Sequence, residues 1–260
     1  MSIIIGGNTL SGINFNTLGE IPKTPNVVTD GLILWLDAGN LMSYDDKSGY
    51  YDCGYGCQYY SSNPGCTNCS TQWKDMSGNG NDATLTNGLS ISYAANTGGG
   101  SMLFDGTDDR SYVTNNLGVL SSYTISFWGR RDAENRMSIS SRSSTNFYWY
   151  GDNSWRYVHG GAAGEHYYSK PTTISTGTWG HYTVVYNGSN VTIYRQGIYQ
   201  SQVSTSGSAD FTSGLQIGYW EANGGYAWYG PISVVTMYNR GLSADEVLQN
   251  FNNGRQRFGI

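Results

Sequence analysis

The chain has 260 residues, with 36 glycines and 22 tyrosines but only 5 prolines; aromatic residues make up 14% and charged residues 13%. Its formal net charge is −5 and its lysines and arginines form no basic stripe, which excludes phosphate-driven nucleic-acid binding and docking on anionic lipid. No apolar run reaches the roughly 20 residues of a membrane helix. The first ten residues lack the basic flank and apolar stretch of a secretory signal, so synthesis in the cytoplasm without a leader is expected.

Residues 1–29 read as an extended docking arm. Short β-prone patches at Ser2–Gly7 and Gly12–Phe15 sit among Gly, Asn and Thr, and Pro22 and Pro25 stiffen the link that follows. Two fates fit such an arm: an edge strand on its own domain, or a strand added to a neighbouring subunit. Residues 30–260 read as one domain. It opens at Gly31–Asp37, a mostly apolar run suited to a buried strand.

An insertion at 44–72 follows. It carries every cysteine of the chain, Cys53, Cys57, Cys66 and Cys69, in the spacing C-x3-C-x8-C-x2-C. Three states fit this cluster: a four-thiolate zinc site, two disulfides stapling a loop with little core of its own, or free thiols. In each the role is structural.

Beyond the insertion, Ser77–Asp82 is a turn-rich loop before a strand at Ala83–Leu85. Ser101–Phe104 is a short strand closed by Asp105-Gly106-Thr107-Asp108-Asp109. Tyr123–Trp128 reads as a central strand, and Asn146–Gly151 and Trp155–Val158 as two aromatic ones. His181–Tyr186 and Val191–Arg195 alternate clearly, and Asn187-Gly188 between them is a hairpin signal. Leu215–Trp220 and Ile232–Tyr238 complete the strands. One helix is expected over the sandwich edge: Ser243 and Glu246 form a capping box, Ala244, Val247, Leu248 and Phe251 share a face, and Gly254 occupies the C′ position. The class is all-β.

Several of these segments, in this order, carry a resemblance. Gly31-Leu32-Ile33-Leu34-Trp35-Leu36-Asp37, then Asp75–Ala83, Phe104–Asp109, Trp179–Tyr186 and Tyr238–Val247, resemble the laminin G-like branch of the concanavalin A-like superfamily over residues 31–260. The resemblance implies a two-sheet jelly-roll sandwich. The phrases VTDGLILWLDAGN, WKDMSGNGNDATLTNG and LSADEVLQNFNNGRQRFGI are further similar to proteins of tailed bacteriophages. That implies a virion structural protein, as capsid decoration or tail or fibre component, docked by its arm on other virion proteins. A homo-oligomer, with a trimer as the first guess, goes with it. Relatives also hold a structural Ca²⁺ near a sandwich edge, which makes Asp105 and Asp108 candidate ligands. The competing reading is that they only shape the turn, and Ser233 and Val234 stand where relatives carry acidic residues.

Glucanases share this fold, and their retaining members carry two glutamates four or five residues apart on one strand. Here Glu20, Glu134, Glu165, Glu221 and Glu246 are isolated. The pairs Asp45-Asp46 and Asp108-Asp109 are adjacent, so within a strand each would point to opposite faces. His159, His166 and His181 have no partner in a nucleophile motif. A non-enzymatic protein is expected. Carbohydrate binding needs exposed rings beside hydrogen-bonding side chains. Trp149, Trp155, Trp220 and Trp228 are the candidate platforms, and a host-glycan adhesin is the alternative function. The competing reading buries these rings in the core or at a subunit interface.

Overall fold

Residues that alternate apolar and polar at period two make strands that each need one face covered. The computed structural model describes residues 3–5, 8–10, 27–40, 42–43, 71–92, 98–133, 139–141, 145–149, 155–159, 175–220 and 226–260. Cys53, Cys57, Cys66 and Cys69 lie outside these residues. In the arm, Ile3–Ile5 and Asn8–Leu10 pair antiparallel with each other as a small hairpin.

Two antiparallel sheets make the sandwich. The larger runs in the order Ile198–Ser204, Asn190–Arg195, Trp179–Tyr186, Tyr123–Arg130, Tyr229–Tyr238, Ser101–Asp105 and Ser90–Ser92. The Tyr229–Tyr238 strand is long enough to hold two partners on one side. Its first half pairs with Met102–Asp105, and its second half with Leu32–Asp37. The smaller sheet runs Trp155–Val158, Asn146–Trp149, Ile139–Ser140, Leu215–Ile217, Arg110–Val113, Ala83–Thr86 and Gln72–Trp73.

Between the sheets lies one continuous core. Leu34, Phe104, Ile125, Phe127 and Val235 of the larger sheet share it with Trp73, Val113, Leu215, Ile217 and Tyr157 of the smaller. Aromatic edges fill it. Trp228 stands edge-on to Phe127 at 6.0 Å between centroids, and Phe211 edge-on to Tyr123 at 5.2 Å, geometries that suit ring quadrupoles.

The strand Ile198–Ser204 is not legible in the sequence, because it is mostly exposed and its period is broken. Tyr199 faces Tyr194 and Ser201 faces Ile193, so Gln200 is an extra residue, a β-bulge on the edge of the larger sheet.

The helix α1 (Ala244–Gly254) has the expected capping box: Glu246 N donates to Ser243 Oγ at 3.2 Å, and Ser243 N to Glu246 Oε2 at 2.8 Å. It covers the outer face of the larger sheet rather than an edge. Phe251, with Phe258 beyond the helix, stacks on Trp128 at 5.7 and 4.3 Å. Its buried face differs from the expected one. Leu248 is 42% exposed, and Asn250 is buried instead. The reason is polar: Asn250 Oδ1 accepts from Val28 N at 2.9 Å, and its amide donates to Tyr238 OH at 3.0 Å. Gly254 is not the C′ residue either. The chain continues into a 3₁₀ turn, Arg255–Phe258, ended by Gly259 at φ 72°. Glycine at 254 serves close approach, since a Cβ there would come within 2.8 Å of Trp128 Nε1.

One guanidinium ties the C-terminal segment to Asp37, at the end of the strand that opens the domain. Arg257 pairs with Asp37 at 2.6 Å and donates to Ser233 Oγ at 2.6 Å, to Gly100 O at 3.0 Å and to Gly98 O. Replacing Arg257 with Met strands these acceptors, and should lower unfolding free energy in urea by roughly 2–3 kcal/mol. A second test uses pH. Hydrogen bonds from Arg240, opposed by burial and helped by Ser243 N–H, hold the Glu246 carboxyl down to about 2, against 4.5 unperturbed. The folded pKa is depressed, so this contribution is present above pH 4.5 and lost as pH falls toward 2. The thermal midpoint should therefore drop more on acidification in the native chain than in Glu246→Gln, as read by calorimetry.

Candidate functional site

The pleat decides what the smaller sheet offers outward. Trp73, Ala83, Val113, Leu215, Ile217, Ile139 and Tyr157 point into the core, so the residues between them point away. Register then lines these up across seven strands: Val158 opposite Asn146, Asn146 opposite Ser140, Ser140 opposite Gln216, Gln216 opposite Tyr112, Tyr112 opposite Thr84, and Thr84 opposite Gln72. Apart from Val158, every member bears an amide or a hydroxyl. Asn146, Ser140 and Gln216 are buried, while Tyr112 is half-buried and Thr84 and Gln72 are exposed. The amide of Gln216 donates to Tyr112 OH at 3.3 Å.

Aromatic groups gather at this face. After Ile217 the chain turns at Gly218, with φ 86°; a Cβ there would come within 2.0 Å of Phe104. This turn starts a small hairpin, Tyr219–Trp220 with Tyr226–Ala227. Trp220 and Tyr226 lie 5.6 Å apart, both half-exposed, and pack on Val158. Beside them the Arg110 guanidinium lies over the rings of Tyr219 and Tyr112, at 5.2 and 5.4 Å. Planar rings, a cation and hydroxyl and amide groups thus share one surface.

An acidic turn adjoins it. Asp105 ends its strand, and its Oδ1 accepts from Thr107 N at 2.8 Å and Asp108 N at 3.4 Å. Asp109 Oδ2 accepts from Asp105 N at 3.0 Å. Oxygens of Asp105, Asp108 and Asp109 all lie within 4.8 Å of one another. Asp108 and Asp109 sit in the turn that closes the strand, as the sequence predicts, and there the two carboxylates converge with Asp105. Asp109 is only 4% exposed. Burial first, then the charge of Asp105, pushes its carboxyl up to about 7, against the hydrogen bond from Asp105 N–H and with a smaller push from Asp108. A set of hard oxygen donors like this suits a divalent cation of the calcium type.

The expected platforms divide. Trp220 is in the aromatic group. Trp149 and Trp155 are register partners across the outermost hairpin of the smaller sheet. Trp228 is no platform: it is 1% exposed and belongs to the core, because the hairpin ends just before it and the chain dives between the sheets. Arg110, Tyr112, Gln216 and Asp109 escaped the sequence reading. The spacing of Arg110 and Tyr112 carried a weak signal, two polar-tipped residues alternating with core-facing Ser111 and Val113.

Both described histidines are buried. His159 is buried with Nδ1 2.8 Å from Tyr123 OH. Burial pushes His181 down to about 3, so it stays neutral against Trp128. A cavity of about 190 Å³ between α1 and the larger sheet is lined by His181, Ser126 and Arg257 among others. Arg257 in this lining is paired with Asp37.

A jelly roll with an aromatic and amide-bearing outer face defines a lectin-like β-sandwich. Residues 105–248 match the model of the concanavalin A-like lectin/glucanases superfamily, and the chain belongs to that family. No curated protein matches it. Among solved structures it is similar to domain 4 of AbnA, a GH43 extracellular arabinanase from Geobacillus stearothermophilus in complex with arabinotriose. The TM-score is 0.54 at 18% identity, covering 68% of this chain and 91% of that one. It is also similar to the binding domain of Paraclostridial Mosquitocidal Protein 1, with TM-score 0.58, 16% identity and coverage of 86% and 52%. Trypanosoma rangeli sialidase in complex with sialic acid gives 0.55 at 14% identity, over 87% of this chain but 33% of that one. At such identities these likenesses describe fold.

The placement of the two tryptophans has separable consequences. Trp228→Ala should cost about 3–5 kcal/mol of stability, as large aromatic truncations in cores do. Trp220→Ala, at a half-exposed position, should cost far less in the same denaturation experiment.

Proposed function

We propose that this chain is a non-enzymatic carbohydrate-binding display domain, carried on a tailed-phage particle. One observation carries the binding half of this reading: half-exposed Tyr112 and Tyr219 lie against the Arg110 guanidinium, and the half-exposed rings of Trp220 and Tyr226 pair in the hairpin that Tyr219 opens. Sugar rings stack on such faces, and their hydroxyls need partners that both donate and accept. Tyr112, Thr84 and Gln72 supply those groups. The virion setting follows from the sequence resemblance alone. In it, residues 1–29 dock on capsid or tail proteins, and several copies, in a trimer, multiply weak contacts with host glycans into avidity.

A glycan array probed with the full chain should give a sugar-competable signal. Trp220→Ala should weaken it about tenfold, equivalent to about 1.4 kcal/mol. A flat array would sink the binding half. Antibody labelling of intact particles tests the setting independently, and unlabelled particles would sink that half.

A further inference from the structure

We propose that the cavity beneath α1 is a binding site for a small uncharged polyol. Its floor is the outer face of the larger sheet. The pleat that sends Leu34, Ile125, Phe127 and Tyr182 into the core turns Trp35, Ser126, Trp128 and His181 to this side. Register gathers these four. Trp35 and Ser126 are both partners of Thr236, and Trp128 is the partner of His181. Gly254 of α1 and Phe258 of the turn after it form the roof.

Three polar atoms of this floor have no hydrogen-bond partner among the described residues: Trp35 Nε1, Ser126 Oγ and His181 Nδ1. Ser126 and His181 are only 2% and 3% exposed, so bulk solvent does not serve them. Buried polar groups left unserved are costly, and an occupant that hydrogen-bonds to them removes that cost. The lining also sets the occupant's charge. Its Asp37 and Arg257 are paired with each other at 2.6 Å, and burial keeps His181 neutral. An ion would lose its water here and find no free counter-charge in the described lining. Hydroxyls suit the floor, because the Trp35 indole only donates while Ser126 and His181 can donate or accept. The rings of Trp35, Trp128 and Phe258 add apolar wall. Water would serve the floor but gains nothing against those rings, whereas the C–H groups of a polyol are buried there. At about 190 Å³ the cavity is smaller than the roughly 300–1,000 Å³ of drug-sized pockets, which limits the occupant to a few carbons.

The test titrates the full chain, with its tryptophan indoles labelled with ¹⁵N, with glycerol and with erythritol. Trehalose, too large for the cavity, controls for bulk co-solvent effects. The indole N–H signals of Trp35 and Trp128, assigned by their loss in Trp35→Phe and Trp128→Phe, should shift saturably with either polyol and not with trehalose. Ser126→Ala removes a hydroxyl that has no partner in the fold, and should weaken binding about three- to tenfold. If Ser126→Ala fails to fold, Trp35→Phe read at the Trp128 signal carries the same expectation. Shifts that never saturate, or that trehalose reproduces, would overturn the proposal, and a cavity that takes only water gives that result. Unchanged affinity in a folded Ser126→Ala or Trp35→Phe would overturn it as well. These signals report on the larger sheet, so they stand or fall independently of a glycan array.

Discussion

The pleat is the constraint from which the rest of this molecule follows. Each strand of the smaller sheet must send alternate residues into the shared core, where Ile139, Ile217, Val113 and Tyr157 are buried. The intervening residues turn to the opposite face, and pairing register sets them side by side. Hydrogen-bonding groups scattered along the sequence from Gln72 to Asn146, with Gln216 further on, become one row. Core and candidate site are thus the two faces of the same alternation.

The outer face of the larger sheet is used differently. There α1 and the 3₁₀ turn after it lay Phe251 and Phe258 on Trp128, and Arg257 and Asn250 tie the C-terminal segment to residues near the start of the domain. The smaller sheet and its hairpin instead keep Tyr219, Trp220 and Tyr226 half-exposed.

Much of the fold was readable in the sequence because its signals are local. Strict alternation marked Tyr123–Trp128 and His181–Tyr186, and Ser243 with Glu246 marked the helix start. Where long-range contacts decide, the reading failed. Asn250 is buried because it meets Val28 and Tyr238, and Leu248 is left outside; no local pattern encodes that. The site was legible only in part. An aromatic-rich stretch contained Trp220, which lies on the surface, and Trp228, which does not, and only the sheet crossing between them separates the two. Asp109 was hidden because its burial is decided by what packs over the turn, which the sequence of the turn does not encode.

The extra residue Gln200 on the border strand has a consequence for crowding. A straight border with open amides and carbonyls invites another chain to extend the ladder, and the kink introduced at Tyr199 and Gln200 spoils that template. The bulge thus works against ladder extension at a border where Ile198, Tyr199 and Val203 are bare.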